Sequence, residues 1–383
     1  MKIVIAPDSF KGSLSATETA KAMEKGVLEV FPKANVTLKP MADGGEGTLD
    51  SILSAIKGEK IHVPCTGPLG ETITATLGIV GKNTAIIECA NVSGLTMVPP
   101  HLRNPENTTS YGLGEVIKYA LDRNCEHILI GLGGSATNDG GLGMLLALGM
   151  EAFDENGQSV GFFGKDVRNV HRVSFNRLDR RLRTVTIQVA SDVDNPLCGK
   201  RGASAVFAPQ KGATPEMVKE FDYALDQFSS IVLKELNLHD DLKVARGAGA
   251  AGGLGFALLM LGAKIGSGAE LVAKTINLEI SIREATLVLT GEGQTDEQTL
   301  YGKAPGYVAS LGKKHHVPTL LISGSLSGKI DSLLNQFDGC FSLVNKPMSL
   351  EECLEQASDL LYMKTKQIMH FYRSIKKLWT NIN

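Results

Sequence analysis

ILIGLGGSATNDGG, residues 128–141, is the stretch on which the reading of the fold turns. Ile128–Ile130 is a short apolar run of the kind a buried strand carries. It breaks into Gly131, Gly133 and Gly134, then Ser135, Thr137, Asn138 and Asp139, and Gly140 and Gly141 open a helix expected to run through Leu148. Strand, glycine-rich turn and helix in that order point free backbone N–H groups and a helix dipole at an anion. Phosphate, nucleotide and carboxylate all fit such a turn, so it says anionic small molecule and no more. A tight connection that merely tolerates glycine is the other reading. Similar acid-bearing, glycine-rich turns recur along the chain and favour the first.

Working outward towards the N-terminus, Ile3–Ala6 reads as a buried strand followed by a polar loop, Pro7–Ser13. Ser15 and Glu18 form a capping-box pattern for a helix running towards Phe31. Val36–Met41 reads as a second strand and Gly47–Ile56 as a second helix. This opening is βαβα, the start of a parallel sheet covered by helices. The pattern then changes. Glu71–Ile79 alternates, Gly81-Lys82-Asn83 reads as a hairpin turn and Thr84–Cys89 answers it. A helix is expected near Leu113–Arg123, a strand at Thr184–Ala190, a long helix at Pro215–Leu236 and a short apolar one at Gly253–Leu261, whereas Gln158–Arg183 follows no clear period. From Ala285 the first pattern returns, with strands at Thr286–Leu289, Val317–Ile322 and Gly339–Leu343 and a helix over Leu350–Met369. The expected architecture is α/β: a discontinuous parallel-sheet domain, residues 1–62 and 285–383, with a mixed α/β domain, residues 63–284, inserted in it. The cleft between the two is the default ligand site. The last stretch, Phe371–Asn383, combines Arg373, Lys376 and Lys377 with Phe371, Leu378 and Trp379, and is expected to be a frayed or packed terminal helix rather than a membrane-surface or partner helix.

The bulk numbers exclude several classes. A formal charge of −2 over 383 residues gives no basic field for nucleic acid or an anionic membrane. The six cysteines form no C-x-x-C pair, which argues against structural zinc or a disulfide framework and suits reduced thiols. No apolar run reads as a signal peptide or a membrane span, so a cytoplasmic protein is expected.

Five turns could carry chemistry: PDSFKGS (7–13), ADGGEGT (42–48), LGGSATNDGG (132–141), SDVDNPLCG (191–199) and TGEGQTDEQT (290–299). In an open α/β sheet, ligands bind at the carboxyl ends of the strands. A carboxylate there can hold Mg²⁺ beside a substrate phosphate or accept a proton from an attacking hydroxyl. Lys11 lies in the first loop and Lys303 just after the last, where either can neutralise phosphate charge. Other motifs lack their context. Gly247–Gly252 satisfies G-x-G-x-x-G but follows a poor strand. Gly131–Ala136 follows a good strand, yet its downstream acid would have to be Glu151 or Asp154. Gly324–Lys329 imitates a P-loop one residue short. His315-His316 has no companion at metal-ligand spacing, and no G-x-S-x-G elbow occurs.

IAPDSFKGSLSA, MADGGEGT, LGGSATNDGG, SDVDNPLCG, VFAPQKGA, GAGAAGGLGFAL and TGEGQTDEQTLYGKAP, taken together and in order, resemble the bacterial glycerate kinase family, the type that includes glycerate 2-kinases. The resemblance runs from Lys2 to about Met369; the basic, Trp-containing tail beyond it is not part of it. It implies a flavodoxin-like domain carrying the inserted one, and ATP- and Mg²⁺-dependent phosphorylation of D-glycerate, with 2-phosphoglycerate as the product and the 3-phosphate as the alternative. On that basis Asp192 is the expected proton acceptor, with Asp43 its rival, and Lys11 accompanies them. Asp8, Asp194 and Asp296 are the candidates for Mg²⁺. Gly133, Gly134, Ser135, Glu292 and Lys303 are assigned to the nucleotide; Asp8, Ser9, Asn195, and Arg103 or Arg246 to glycerate, whose carboxylate suits a planar guanidinium. An NAD-type oxidoreductase using the 131–136 turn and a non-catalytic sensor of a nucleotide or acidic metabolite are the competing functions.

Overall fold

The computed structural model describes residues 1–296, 299, 302–327 and 330–382, and the side chains of that set up to Leu378. The chain folds as two compact units: residues 1–43, 50–56 and 268–383 form one, and residues 44–49 and 57–267 the other. These divisions fall after Ile56 and Ser267, ahead of the expected 62 and 284 at both ends. The difference has a physical source. The Lys39 ammonium donates to the Ile276 carbonyl at 2.7 Å, and Lys314 pairs with Glu279 at 2.6 Å, so the segment before Ala285 is tied to the first unit.

The first unit is built on a five-stranded, all-parallel sheet. In chain order its strands are Lys2–Ile5, Asn35–Leu38, Leu287–Thr295, Thr319–Leu326 and Gly339–Ser342; across the sheet they stand second, first, third, fourth, fifth. That 2-1-3-4-5 order is the flavodoxin-like one, and its switch point lies between the first and third strands. The capping box is present: Glu18 N–H donates to Ser15 Oγ at 3.2 Å and Ser15 N–H to Glu18 Oε2 at 2.9 Å, starting the helix Ala16–Val30. Its buried face, Ala20, Met23, Val27 and Val30, recurs every three to four residues and covers Ile3, Ile5, Leu287 and Leu289. The terminal helix spans Ala357–Ile382, longer than expected, and its Tyr372 ring meets Phe31 edge-on with centroids 6.3 Å apart. Leu287–Thr295 also runs past its expected end at Leu289. Glycines at 291 and 293 made the sequence read as a loop, but the parallel ladder continues through Glu292↔Ser323 and Thr295↔Leu326.

The second unit has its own core, from Ile87, Ile128 and Ile130 to Phe228 and Phe256. Its six-stranded sheet follows chain order: Gly58–Thr66, Thr72–Val80, Thr84–Glu88, His127–Gly131, Thr186–Ala190 and Lys264–Gly266. The first three are antiparallel, including the expected hairpin, and the rest are parallel. The residues without a clear period supply one strand of a small antiparallel pair, Arg172–Ser174 against Glu151–Phe153, and short 3₁₀ turns. The long helix Pro215–Leu236 starts at a Thr214 cap and stops at Asn237, whose φ of +52° ends helical propagation. Among the described residues, no helix is long and apolar enough to cross a membrane.

Candidate active site

In the first unit the acidic residues gather at the carboxyl ends of the strands beside the switch point. Ala6 N–H and Asp8 N–H donate to the carbonyls of Leu289 and Gly291, each at 2.8 Å, so the ladder carries Asp8 past the end of its strand. Asp8 keeps some accessible surface, but its carboxyl is crowded by protein atoms. Burial, reinforced by the neighbouring Asp43 carboxylate, pushes it up to about 7. Ser9 N–H, donating to Asp8 Oδ1 at 2.6 Å, and the Lys11 ammonium oppose that rise, and Glu292 adds to it. Glu292 is buried and its carboxyl is raised by burial, against donation from Thr299 Oγ1 at 2.6 Å and Thr295 Oγ1 at 3.0 Å and the field of Lys303. Lys11 Nζ stands 3.8 Å from Asp43 Oδ2, and Lys303 Nζ 3.6 Å from Asp296 Oδ1. Asp8, Ser9, Lys11, Asp43, Glu292, Asp296 and Lys303 therefore belong to one unit.

Carboxylates that repel one another enough to raise a pKa are a fit for a divalent cation, whose charge relieves the repulsion. Mg²⁺ uses one or two carboxylates and completes its shell with phosphate oxygens and water. Among the described residues, no group of three or more His, Cys, Asp or Glu is arranged as an all-protein cage. Asp194, the third expected metal ligand, belongs to the other unit, where Arg201 Nη2 lies 3.0 Å from its Oδ1.

The 128–141 turn in the second unit departs from expectation in an informative way. Its helix is only Leu142–Ala147, and the chain caps it internally. Fully buried Asp139 accepts from Gly141 N–H (3.0 Å), Gly143 N–H (3.3 Å), Ser110 N–H (2.9 Å) and Ser110 Oγ (2.6 Å), while Met144 N–H donates to Ser110 Oγ at 3.0 Å. No helix N-terminus is left for an anion, which removes the seat of a dinucleotide pyrophosphate. Gly133 also differs from expectation. Its N–H donates to the Gly44 carbonyl at 3.2 Å, and a Cβ there would stand 2.6 Å from Gly45 Cα, so this glycine serves close approach of two backbones. Among the described residues, Gly134 N–H and Ser135 N–H donate to no protein acceptor. Gly134 has φ +76°, and consecutive amides about such a residue form an anion-binding concavity.

Sequence reasoning gave no role to Lys211, within the VFAPQKGA motif. It is buried beneath the turn, and its ammonium donates to the Thr137 carbonyl at 2.6 Å and to Ser135 Oγ at 3.1 Å. The glycine-rich segment 247–253 lies against the same turn, Gly140 N–H donating to the Gly252 carbonyl at 2.9 Å. Its glycines answer a packing need rather than a dinucleotide.

Of the remaining expected residues, Asp192 is exposed on the loop after Thr186–Ala190. Asn195 braces that loop: its Nδ2 donates to the Arg201 carbonyl at 2.7 Å and its carbonyl accepts from Gly249 N–H. Arg246 is exposed, and half-buried Arg103 donates to the Val98 carbonyl at 3.4 Å. His315, at the end of the helix Ala304–Lys314, faces Glu279 at 2.8 Å. Gly328 and Lys329 of the P-loop-like run lie outside the described residues.

Comparison with known proteins agrees with these features. The sequence model of the glycerate kinase family matches residues 3–373. The chain is 46% identical over 371 residues to the glycerate 2-kinase of Escherichia coli K12, covering 96% of this chain and 97% of that protein. It is 45% identical over 369 residues to the glycerate kinase of Halalkalibacterium halodurans, with the same coverage. A crystal structure of a candidate glycerate kinase 2 from Salmonella typhimurium LT2 superposes with a TM-score of 0.89 at 44% identity, over 98% of this chain and 99% of that one. At such identity and coverage, the chain belongs to the glycerate kinase family and is a kinase.

Proposed function

We propose that this kinase transfers the γ-phosphoryl group of ATP to the 2-hydroxyl of D-glycerate, giving ADP and 2-phosphoglycerate. The observation that carries the reading is the Asp8 carboxyl, held near 7 beside Asp43 and Glu292 and flanked by Lys11, at the switch point of a flavodoxin-like sheet. The name of the Escherichia coli relative, glycerate 2-kinase, supports the 2-phosphate as product. Phosphoryl transfer asks the protein for positioning and charge stabilisation more than covalent chemistry. Asp8 and Asp296 would hold Mg²⁺, which when bound would supply charge neutralisation at the transferred phosphate. Lys11 and Lys303 add fixed positive charge on the phosphates. Asp192 accepts the hydroxyl proton as the glycerate oxygen bonds to phosphorus and the β–γ bridge breaks; Asp43 is the second candidate for that task. Arg246 or Arg103 holds the glycerate carboxylate through paired N–H donors.

The test incubates the protein with D-glycerate, ATP and Mg²⁺ and reads the product by phosphorus NMR. A 2-phosphoglycerate resonance is expected. A 3-phosphoglycerate resonance would keep the kinase and exchange the reacting hydroxyl, and folded protein that leaves ATP unconsumed would overturn D-glycerate as the acceptor.

A further inference from the structure

A buried ammonium is expensive unless its charge is balanced, and Lys211 is only 2% exposed. Among the described residues its partners are neutral, the Thr137 carbonyl and the Ser135 hydroxyl, and no carboxylate lies within ion-pair distance. The contact with Ser135 also fixes a direction. An ammonium has only protons to give, so Ser135 Oγ must accept from it, and the single hydroxyl proton of Ser135, itself a buried residue, is directed away from Lys211. That proton has no protein acceptor among the described residues, and the Gly134 and Ser135 amides beside it are equally uncommitted. Three donors and a cation with no carboxylate in direct contact converge on one turn.

We propose that the Gly134 and Ser135 amides, the Ser135 hydroxyl and the Lys211 ammonium behind it form a preset receptor for one substrate oxyanion, with Lys211 acting through Ser135 as a positioning residue. The proposal rests on the kinase reading above and deepens it, since both substrates of that reaction carry oxyanions: the glycerate carboxylate and the ATP phosphates. The receptor works only while Lys211 is charged. A neutral amine can accept the Ser135 proton, which turns the hydroxyl away from the ligand and removes the charge together. Burial lowers Lys211 to about 8, with Cys89 and Asp139, the titratable groups facing it, pulling the other way. Cys89, pushed up to about 11, stays a thiol over the range that matters.

The experiment titrates the full-length protein by calorimetry with D-glycerate and, separately, with metal-free ATP, from about pH 7.5 to about pH 9.5. Wild type is compared with Lys211→Arg, which stays charged throughout, and Lys211→Met. For one of the two ligands, wild-type affinity is expected to fall by close to tenfold per pH unit above about 8. Lys211→Arg should flatten that profile, and Lys211→Met should bind about tenfold or more weakly at every pH. The ligand that responds identifies the oxyanion. A wild-type affinity flat for both ligands overturns the proposal whatever the variants do, as does folded Lys211→Met that binds both like wild type. Turnover is measured on the same samples: pH-dependent binding without turnover would sink D-glycerate as the acceptor and leave the receptor standing.

Discussion

The acidic cluster around Asp8 and the glycine-rich turn over Lys211 are opposite solutions to one electrostatic problem. In the first unit, burial, helped by the neighbouring Asp43 carboxylate, pushes the Asp8 carboxyl up to about 7, and burial raises Glu292 as well. In the second, an ammonium is buried on a carbonyl and a hydroxyl, with Asp139 near but not in contact, below uncommitted N–H groups. On the proposals above, the first would receive a cation and the second an anion.

The largest effect expected is on the proposed proton acceptor. Asp192→Asn should lower turnover by about 10²- to 10⁴-fold with the fold intact by circular dichroism. Asp43→Asn, made in parallel, should cost less; the reverse ranking would move proton acceptance into the acidic cluster and end the division of labour. Next comes Asp139, whose carboxylate is an internal cap and not a ligand group. Asp139→Asn should destabilise the protein by about 3 kcal/mol, read as a lowered denaturant midpoint, because buried donors lose a charged acceptor. An unchanged midpoint would mean that the turn is held some other way.

Asp8 should behave in the opposite sense. Folding raises its carboxyl from 3.8 to about 7, so between those values the folded chain keeps a proton that the unfolded chain has released, and stability falls as pH rises through that window. Asp8→Asn should therefore stabilise the metal-free protein at pH 8, by about 1–2 kcal/mol after discounting for solvent, with little gain near pH 4. The same variant should need about tenfold more Mg²⁺ for half-maximal rate. Lower stability at pH 8 would contradict the crowding of carboxylates. Lys11, with a side chain 84% exposed, should matter least: Lys11→Met is expected to raise KM for ATP by less than about tenfold.

The parts of this molecule readable in its sequence are those written in neighbouring residues. The Ser15–Glu18 box, the 80–84 hairpin, the long helix after Thr214 and the acids of the first and last loops all depend on short spacings. The unread parts depend on what arrives from elsewhere in the chain. Gly133 resembles a phosphate-loop glycine until Gly44 and Gly45 are seen passing against it. Asp139 reads as one more acid in a glycine-rich turn until Ser110, twenty-nine residues away, is seen donating to it. Lys211 is one lysine among many by composition, and only burial at both ends of its contacts makes it unusual. Glycines at 291 and 293 read as a break because sequence does not reveal the neighbouring strand that keeps the ladder going.

The strand order of the first sheet sets a timetable for synthesis. Its opening strands, Lys2–Ile5 and Asn35–Leu38, leave the ribosome first, but the strand that must lie on the other side of Lys2–Ile5 begins at Leu287. At roughly 5–20 residues per second, the intervening stretch takes roughly ten to fifty seconds to make. During that time residues 57–267 can complete their own core, while the first strand exposes a bare apolar edge. The usual vectorial sequence is thus inverted: the middle of the chain matures before its beginning, and the nascent N-terminal segment is where a chaperone would be needed.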